Sequence, residues 1–202
     1  MSYVFFDVGA NNGFTSIPVA ERNRDVTVYA FEPTPQMIAI IEEKTSGLVN
    51  YILTKAAVSD YNGTATFNVA GNADWGCSSL LPLSEKAHTE WYGRTDMLVT
   101  EQIEVNVIRL DSFVEQNNIT HINHLHIDTQ GSDLKVLKGL GKYISIVEHG
   151  VMEAANKVDI LYVGQNTKEQ SIQFLEENGF TITGIQINDD GQNEVNISFK
   201  RM

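Results

Sequence analysis

Short apolar runs alternate with helical periodicity through the first sixty residues. Tyr3-Val4-Phe5-Phe6 is a run of β-forming side chains, and Asp7-Val8-Gly9-Ala10-Asn11-Asn12-Gly13 follows it as a glycine-bounded turn. A run this short, closed by glycine, predicts a buried strand. The segment from Thr15 to Arg22 reads as a helix, with Pro18 in its first turn, where the missing N–H costs little. Val26 to Phe31 predicts a second strand that ends at Glu32-Pro33. Thr34 stands where a cap is expected and Pro35 at the first helical position. Met37, Ile38, Ile40 and Ile41 then give that helix one apolar face. Tyr51-Ile52-Leu53 opens a third strand, extended through Ala56-Ala57-Val58.

The alternation then breaks. Asn62-Gly63 is a two-residue hairpin signal, and both Thr64 to Val69 and Ile103 to Ile108 alternate as strands. These predict an inserted β-hairpin added antiparallel at the sheet edge. Residues 71–100 between them lack periodicity, and such long segments inside compact domains are usually functional or disordered. The two tryptophans, Trp75 and Trp91, favour a folded segment that serves as a lid or acceptor-binding surface. Regular alternation resumes with a capping box at Ser112-Phe113-Val114-Glu115 and a fourth strand from His124 to Asp128. Ser132 is placed to cap a helix from Asp133 to Leu140, and Ile144 to Glu148 predicts the fifth strand. A second capping box, Thr167-Lys168-Glu169-Gln170, opens a helix running to Asn178-Gly179. Thr181 to Ile187 and Val195 to Lys200 form a final hairpin. The order is that of an α/β protein with a Rossmann-like, mostly parallel sheet, in one domain spanning 1–202. An opening directly on a central strand leaves room for that domain to be cut from a longer polypeptide.

Composition narrows the partners more than the fold. The chain has 202 residues, 42% hydrophobic, with a formal net charge of −12. That charge argues against nucleic acid and anionic membrane surfaces, which reward clustered Lys and Arg. One cysteine, Cys77, excludes an internal disulfide. No stretch is apolar enough to span a bilayer, no signal peptide is read before the first strand, and a cytoplasmic location is the expectation.

The first loop carries the chemistry. In a dinucleotide site Gly-x-Gly-x-x-Gly sets a pyrophosphate on a helix N-terminus. Here Asn11 replaces the second glycine, and Asp7 precedes Gly9 by two residues. A carboxylate at that strand end repels a pyrophosphate and suits a cationic ligand. S-Adenosyl-L-methionine carries an ammonium and a sulfonium, and fits better. Glu32 stands about 20 residues past the loop, where an acid takes ribose hydroxyls in NAD sites as well. Asp128 ends the fourth strand and brings a third acid to the crevice. Asp128, His149 and His126 are the candidates for the proton acceptor, with His149 expected just beyond the fifth strand. His121, His124, His126 and Asp128 raise a metal reading, but ligands on one short strand poorly surround an ion, and no metal is predicted. Trp75, Ser78, Ser79, Trp91 and Arg94 are the candidates for acceptor binding, since aromatic faces stack on sugar rings.

The ordered set Asp7-Val-Gly-Ala-Asn-Asn-Gly13, Phe31-Glu-Pro33, Ala57-Val-Ser-Asp60, Cys77-Ser-Ser-Leu80, Leu110-Asp-Ser-Phe113, Ile127-Asp-Thr-Gln-Gly131, Val136-Leu-Lys-Gly139 and Tyr162-Val-Gly-Gln165 resembles the FkbM-type methyltransferases. The resemblance covers nearly the whole chain. It implies a class I S-adenosylmethionine-dependent methyltransferase: a seven-stranded sheet with the last strand antiparallel. It also implies O-methylation of a sugar, glycan or similar small hydroxyl acceptor, with S-adenosyl-L-homocysteine as product. Asp7, Gly9, Ala10, Asn11 and Gly13, with Phe14 and Thr15 beside them, would hold the methionine part. Glu32 and Pro33 would meet the ribose, and Ala57, Val58 and Ser59 the adenine. Asp128 would face the transferred methyl. His126 stands where many members have lysine, and Gln130 where glutamate is frequent. An RNA ribose methyltransferase and a non-catalytic adenosyl-binding module are the alternatives.

Overall fold

The computed structural model describes residues 3–71, 75–90, 98–158, 160–188 and 190–202. Its centre is a seven-stranded sheet. Five of its strands are β1 (Tyr3–Val8), β2 (Val26–Phe31), β3 (Tyr51–Thr54), β7 (Ile122–Ile127) and β8 (Val147–Ala155). The hairpin β9 (Phe180–Ile187) and β10 (Glu194–Arg201) completes it. The order is β3-β2-β1-β7-β8-β10-β9. All neighbours pair in parallel except β10, which runs antiparallel to both β8 and β9. The fold is therefore the class I, Rossmann-like architecture read from the sequence.

The strands alternate because both faces are covered. Val4, Phe6 and Val8 enter one core with Leu110, Leu134, Leu137 and Leu175. These come from α4 (Leu110–Gln116), α5 (Asp133–Gly139) and α6 (Lys168–Glu177). Phe5 enters the other core with Ile17 and Ala20 of α1 (Ile17–Arg22) and Ile41 of α2 (Pro35–Thr45). Phe6 and Phe31 are fully buried and meet Phe113 edge-on. Burying one such side chain contributes roughly 1.5–3 kcal/mol. From β1 the sheet grows toward β2 and β3 in one direction and toward β7 in the other. That reversal makes the crevice at the strand C-termini where α/β proteins bind ligands.

Several sequence expectations are corrected. The third strand stops at Thr54, and Ala57–Val58 (β4) belongs to a second sheet with β5 (Gly63–Val69) and β6 (Glu101–Ile108). Its order is β4-β6-β5, so β6 separates the strands flanking Asn62-Gly63, which do not form a hairpin with each other. The insertion is a separate three-stranded sheet rather than an addition to the main edge. The helix at Ser112 begins two residues earlier, at Leu110 behind Arg109, without a side-chain cap. Thr34 and Ser132 sit at N-cap positions without capping through their side chains, whereas Thr167 and Gln170 make the capping box as read. Residues Gly141–Ile146 form a 3₁₀ turn, and the fifth strand of the main sheet starts only at Val147. Apolar Ile144 and Ile146 imitate strand alternation, but they pack against the helical layer.

Candidate functional site

The ends of β1, β2 and β7 line a cleft that is open to solvent. Gly9, Asn11, Glu32, Pro33 and Thr34 line it from the ends of β1 and β2, and Asp128, Thr129 and Gln130 from the end of β7. Ala57, Val58, Phe67, Trp75, Ser78 and Leu80 supply the apolar side and rim. This lining suits a molecule with an apolar body and a few polar anchors.

The glycine loop is shaped by a close crossing. Gly9 has φ +83, and a Cβ there would lie 1.9 Å from the backbone oxygen of Asp128. Only glycine lets the ends of β1 and β7 approach this closely. The N–H groups of Gly9 and Ala10 both donate to the Phe31 carbonyl at 3.0 Å. Asn11 has φ +49. This turn aims the Asn11 N–H at Glu32 Oε2, 2.8 Å away, while the Thr34 N–H donates to Glu32 Oε1 at 2.8 Å. Glu32 thus ties the first loop to the loop after β2. Burial pushes its carboxyl up to about 7, against the hydrogen bonds from Thr34 and Asn11, and the charge of Asp7 adds to the rise.

Asp7 lies behind these loops. It is fully buried, and its Oδ1 is 2.7 Å from His126 Nδ1. Its Oδ2 is buried without a hydrogen-bond partner among the described residues. Burial alone would lower the His126 pKa, but the hydrogen bond and charge of Asp7, with Asp128 and Asp133 beyond, hold it above its ordinary value. His126 is thereby committed to Asp7 and does not line the cleft.

His149 is a correction. The sequence placed it after the fifth strand, at the site mouth. It is the third residue of β8, paired in register with His124. His124 precedes Asp128 by four strand positions, which is about 13 Å. There His149 Nδ1 meets His124 Nδ1 at 2.9 Å, and its Nε2 is 3.5 Å from the Tyr3 hydroxyl. Burial, with the charges of His149 and His126, pushes His124 down to about 4. This histidine pair sits toward the opposite end of the sheet from the cleft.

Of the sequence-predicted residues, Gly9, Asn11, Glu32, Pro33, Ala57, Val58, Asp128, Trp75 and Ser78 line the cleft. Ala10 and Ser59 are buried beside it. Gly13 supports the loop, its N–H bonded to the Ala10 carbonyl. Phe14 is 84% exposed and Thr15 is also exposed, so both face solvent rather than the cleft. Ser79 is buried, donating to the Gln130 carbonyl at 2.7 Å. Trp91 and Arg94 lie outside the described residues. Sequence reasoning did not assign Phe31, Thr34, Ala56, Phe67, Gly76, Leu80, Thr129 or Gln130 to the site. Phe31 and Thr34 flank Glu32 and could have been found from it. Phe67 gives no such signal, because it reaches the cleft from the inserted sheet.

Residues 75–84 form the roof. Asn68 and Ser79 exchange backbone hydrogen bonds at 2.8 and 3.0 Å, and Asn68 Nδ2 donates to the Leu81 carbonyl. Ser84 Oγ donates to the Ile160 carbonyl, and the Tyr162 hydroxyl is 3.0 Å from the Cys77 carbonyl oxygen.

A mostly parallel seven-stranded sheet with an antiparallel last strand, and a crevice with acids at the ends of β2 and β7, are the architecture of the class I methyltransferases. The sequence profile of the methyltransferase FkbM domain matches residues 7–182, and the chain belongs to that family, whose methyl donor is S-adenosyl-L-methionine. It is 27% identical over 165 residues to the 31-O-demethyl-FK506 methyltransferase FkbM of Streptomyces tacrolimicus. The alignment covers 68% of this chain and 59% of that relative, so the chain spans less than two thirds of the relative's length. Among solved structures, the fold is similar to Aeropyrum pernix fibrillarin with bound S-adenosyl-L-methionine (TM-score 0.55, 9% identity, 98% of this chain and 66% of that one). It is also similar to an rRNA methylase from Streptococcus thermophilus (TM-score 0.52, 12% identity, 100% and 87%). At these identities the likeness concerns the fold.

The residues present fit the donor on their own chemistry. The buried, unpartnered Asp7 Oδ2 suits a nearby positive charge or a donor, and the Gly9 crossing leaves the backbone open to close approach. Glu32 stands at the cleft wall as a hydrogen-bond acceptor for hydroxyls.

Proposed function

We propose that the cleft binds S-adenosyl-L-methionine and that the protein transfers its methyl group to a hydroxyl of a carbohydrate or similar small acceptor. The observation that carries this reading is the pair of carboxyl residues, Glu32 after β2 and Asp128 after β7, lining one cleft together with apolar Ala57, Val58 and Phe67. Glu32 would accept from the ribose hydroxyls, and the apolar side would cover the adenine. Asn11 and the Gly9 loop would hold the methionine end, with Asp7 behind them. When bound, the cofactor supplies an electrophilic methyl on a sulfonium.

The protein's own part is alignment and proton removal. Positioning two reactants can contribute roughly 7–11 kcal/mol, and general-base help about 10² to 10⁴ in rate. With the donor bound, the methyl would pass from sulfur to the acceptor oxygen, and Asp128 would take the hydroxyl proton, leaving a methyl ether and S-adenosyl-L-homocysteine. Trp75 and Ser78, which line the cleft, would meet the acceptor. Oxygen as the methylated atom is supported by the relative, whose name places its methyl on O-31 of a small molecule. The net charge of −12 speaks against RNA as acceptor.

The test is a screen for S-adenosyl-L-homocysteine release against saccharides, polyhydroxylated lactones and RNA transcripts. Turnover with a hydroxylated small molecule is expected. Turnover with RNA alone would overturn the acceptor class.

A further inference from the structure

The Gln130 side chain makes three hydrogen bonds beside the cleft. It is 8% exposed and holds φ +53, ahead of Gly131 at φ +91. Its Nε2 donates to Asp128 Oδ1 at 2.7 Å and to Glu153 Oε2 at 2.9 Å. Both N–H bonds of one amide are thus spent on carboxylates from two different strands. The Tyr162 hydroxyl donates to its Oε1 at 2.7 Å, and Ser79 Oγ donates to its backbone carbonyl at 2.7 Å. Tyr162 fixes which end of the amide faces the acids. Burial, reinforced by Cys77, Glu194, Glu153 and Asp128, keeps that phenol well above its ordinary pKa, so it remains a donor. The other oxygen of Glu153 accepts from Asn188 Nδ2, so an amide meets each oxygen of this buried acid.

We propose that Gln130 is a positioning residue of the methyl transfer, whose amide bridges Asp128 and Glu153 and holds Asp128 at the cleft wall in its proton-accepting form. This rests on the reading of Asp128 as the acceptor of the hydroxyl proton.

The surroundings give the amide its importance. The charged groups acting on the cluster are Asp133 of α5, Glu153 of β8, Glu194 of β10 and His126 of β7. Three are acids, and the fourth is bonded to Asp7. Charge repulsion and burial both favour protonating such carboxylates, whereas hydrogen bonds donated to the charged form oppose it. Burial, with Glu194, Asp128 and Asp133, has raised Glu153 well above its ordinary pKa. The Gln130 amide gives Asp128 a donor without adding a charge. A glutamate at this position would satisfy Tyr162 equally well but would place a third carboxylate against the other two. The same amide also fixes the direction of the Asp128 carboxylate, through a chain running Tyr162–Gln130–Asp128 from the roof to the wall.

The test uses the whole chain with Gln130→Leu, Gln130→Glu and the milder Tyr162→Phe. Carbon-13 NMR of labelled aspartate carboxyls reads the Asp128 titration, assigned with Asp128→Asn. Loss of the donor or addition of a third acid moves the Asp128 midpoint upward by about one pH unit or more. The acidic limb of the kcat profile moves with it, while affinity for S-adenosyl-L-homocysteine stays within a few-fold. Tyr162→Phe gives a smaller shift of the same sign, and reads the point if Gln130→Leu fails to fold. An unchanged midpoint and unchanged pH profile in variants of lower activity would reduce Gln130 to a structural hub and overturn the proposal. The NMR shift does not depend on the acceptor. A shifted midpoint in a protein that methylates no hydroxyl compound supports the clamp and refutes the proposed function alone.

Discussion

Replacing Glu32 with glutamine changes one atom and tests the ribose assignment. The carboxylate already accepts from two backbone N–H groups, of Asn11 and Thr34, both at 2.8 Å. A glutamine offers one oxygen, so one of these donors must face an NH₂. Leaving a buried donor unsatisfied costs the folded protein about 1–3 kcal/mol with or without ligand. Binding loses a charge-assisted acceptor for the ribose, about 1.5–3 kcal/mol, so affinity for the adenosine part should fall by roughly 10- to 150-fold. The pH dependence is sharper still. Burial holds the Glu32 carboxyl at about 7, and ribose hydroxyls donate best to the ionised form. Binding below that pH must expel a proton, so wild-type affinity should be about tenfold weaker at pH 6 than at pH 8. The probe is 5′-methylthioadenosine, which has the ribose diol but no ammonium or carboxylate to titrate. Calorimetry should show the slope in wild type and none in Glu32→Gln. Equal slopes in both proteins, or a flat wild-type profile, would remove Glu32 from ribose recognition.

Other outcomes follow from the same geometry. Gly9→Ala places a Cβ 1.9 Å from the Asp128 carbonyl oxygen at φ +83. The strained φ and the forced parting of β1 from β7 should cost about 2–5 kcal/mol, read by urea denaturation; a loss below 1 kcal/mol would contradict the close crossing. Stability should fall as pH rises from 5 to 8. Burial raises Glu32 and Asp133 to about 7 from ordinary values of 4.5 and 3.8, so below pH 7 the folded chain holds protons that the unfolded chain releases. Each such group contributes a slope of up to about 1.4 kcal/mol per pH unit between its unfolded and folded pKa values. His126, raised by Asp7, adds the same sign above its unfolded value of 6.5. His124, pushed down to about 4, opposes the slope below pH 6.5 as one group against two. A urea midpoint that climbs with pH would refute this, and Asp133→Asn should flatten the slope. Removing the Phe6 ring from its contacts with Phe31 and Phe113 should cost about 3–5 kcal/mol in Phe6→Ala, visible as a lowered melting temperature.

The main sheet was legible because its strands are buried on both faces and its helices carry regular apolar stripes. Val4, Phe5 and Phe6 read as one run because alternate residues serve two cores. Boundaries were lost where local pattern and tertiary packing disagree. Ile144 and Ile146 look like strand residues, yet their segment is a 3₁₀ turn, and the error carried His149 to the wrong end of β8. Asn62-Gly63 gives a hairpin signal that β6 overrides by pairing between β4 and β5. Glu32 and Asp128 were readable because each follows a strand of the parallel sheet. Gln130 was visible only as a departure from the family pattern. Its bonds to Glu153 and Tyr162 span 23 and 32 residues, a separation that local periodicity does not register.

The central claim is that this cleft transfers a methyl group to oxygen. The most direct measurement is turnover of methyl-labelled S-adenosyl-L-methionine with the acceptor found by screening, in wild type and in folded Asp128→Asn. The account predicts a labelled methyl ether and a turnover about 10²-fold or more lower in the variant. Label on nitrogen or carbon, or full activity in Asp128→Asn, would contradict it.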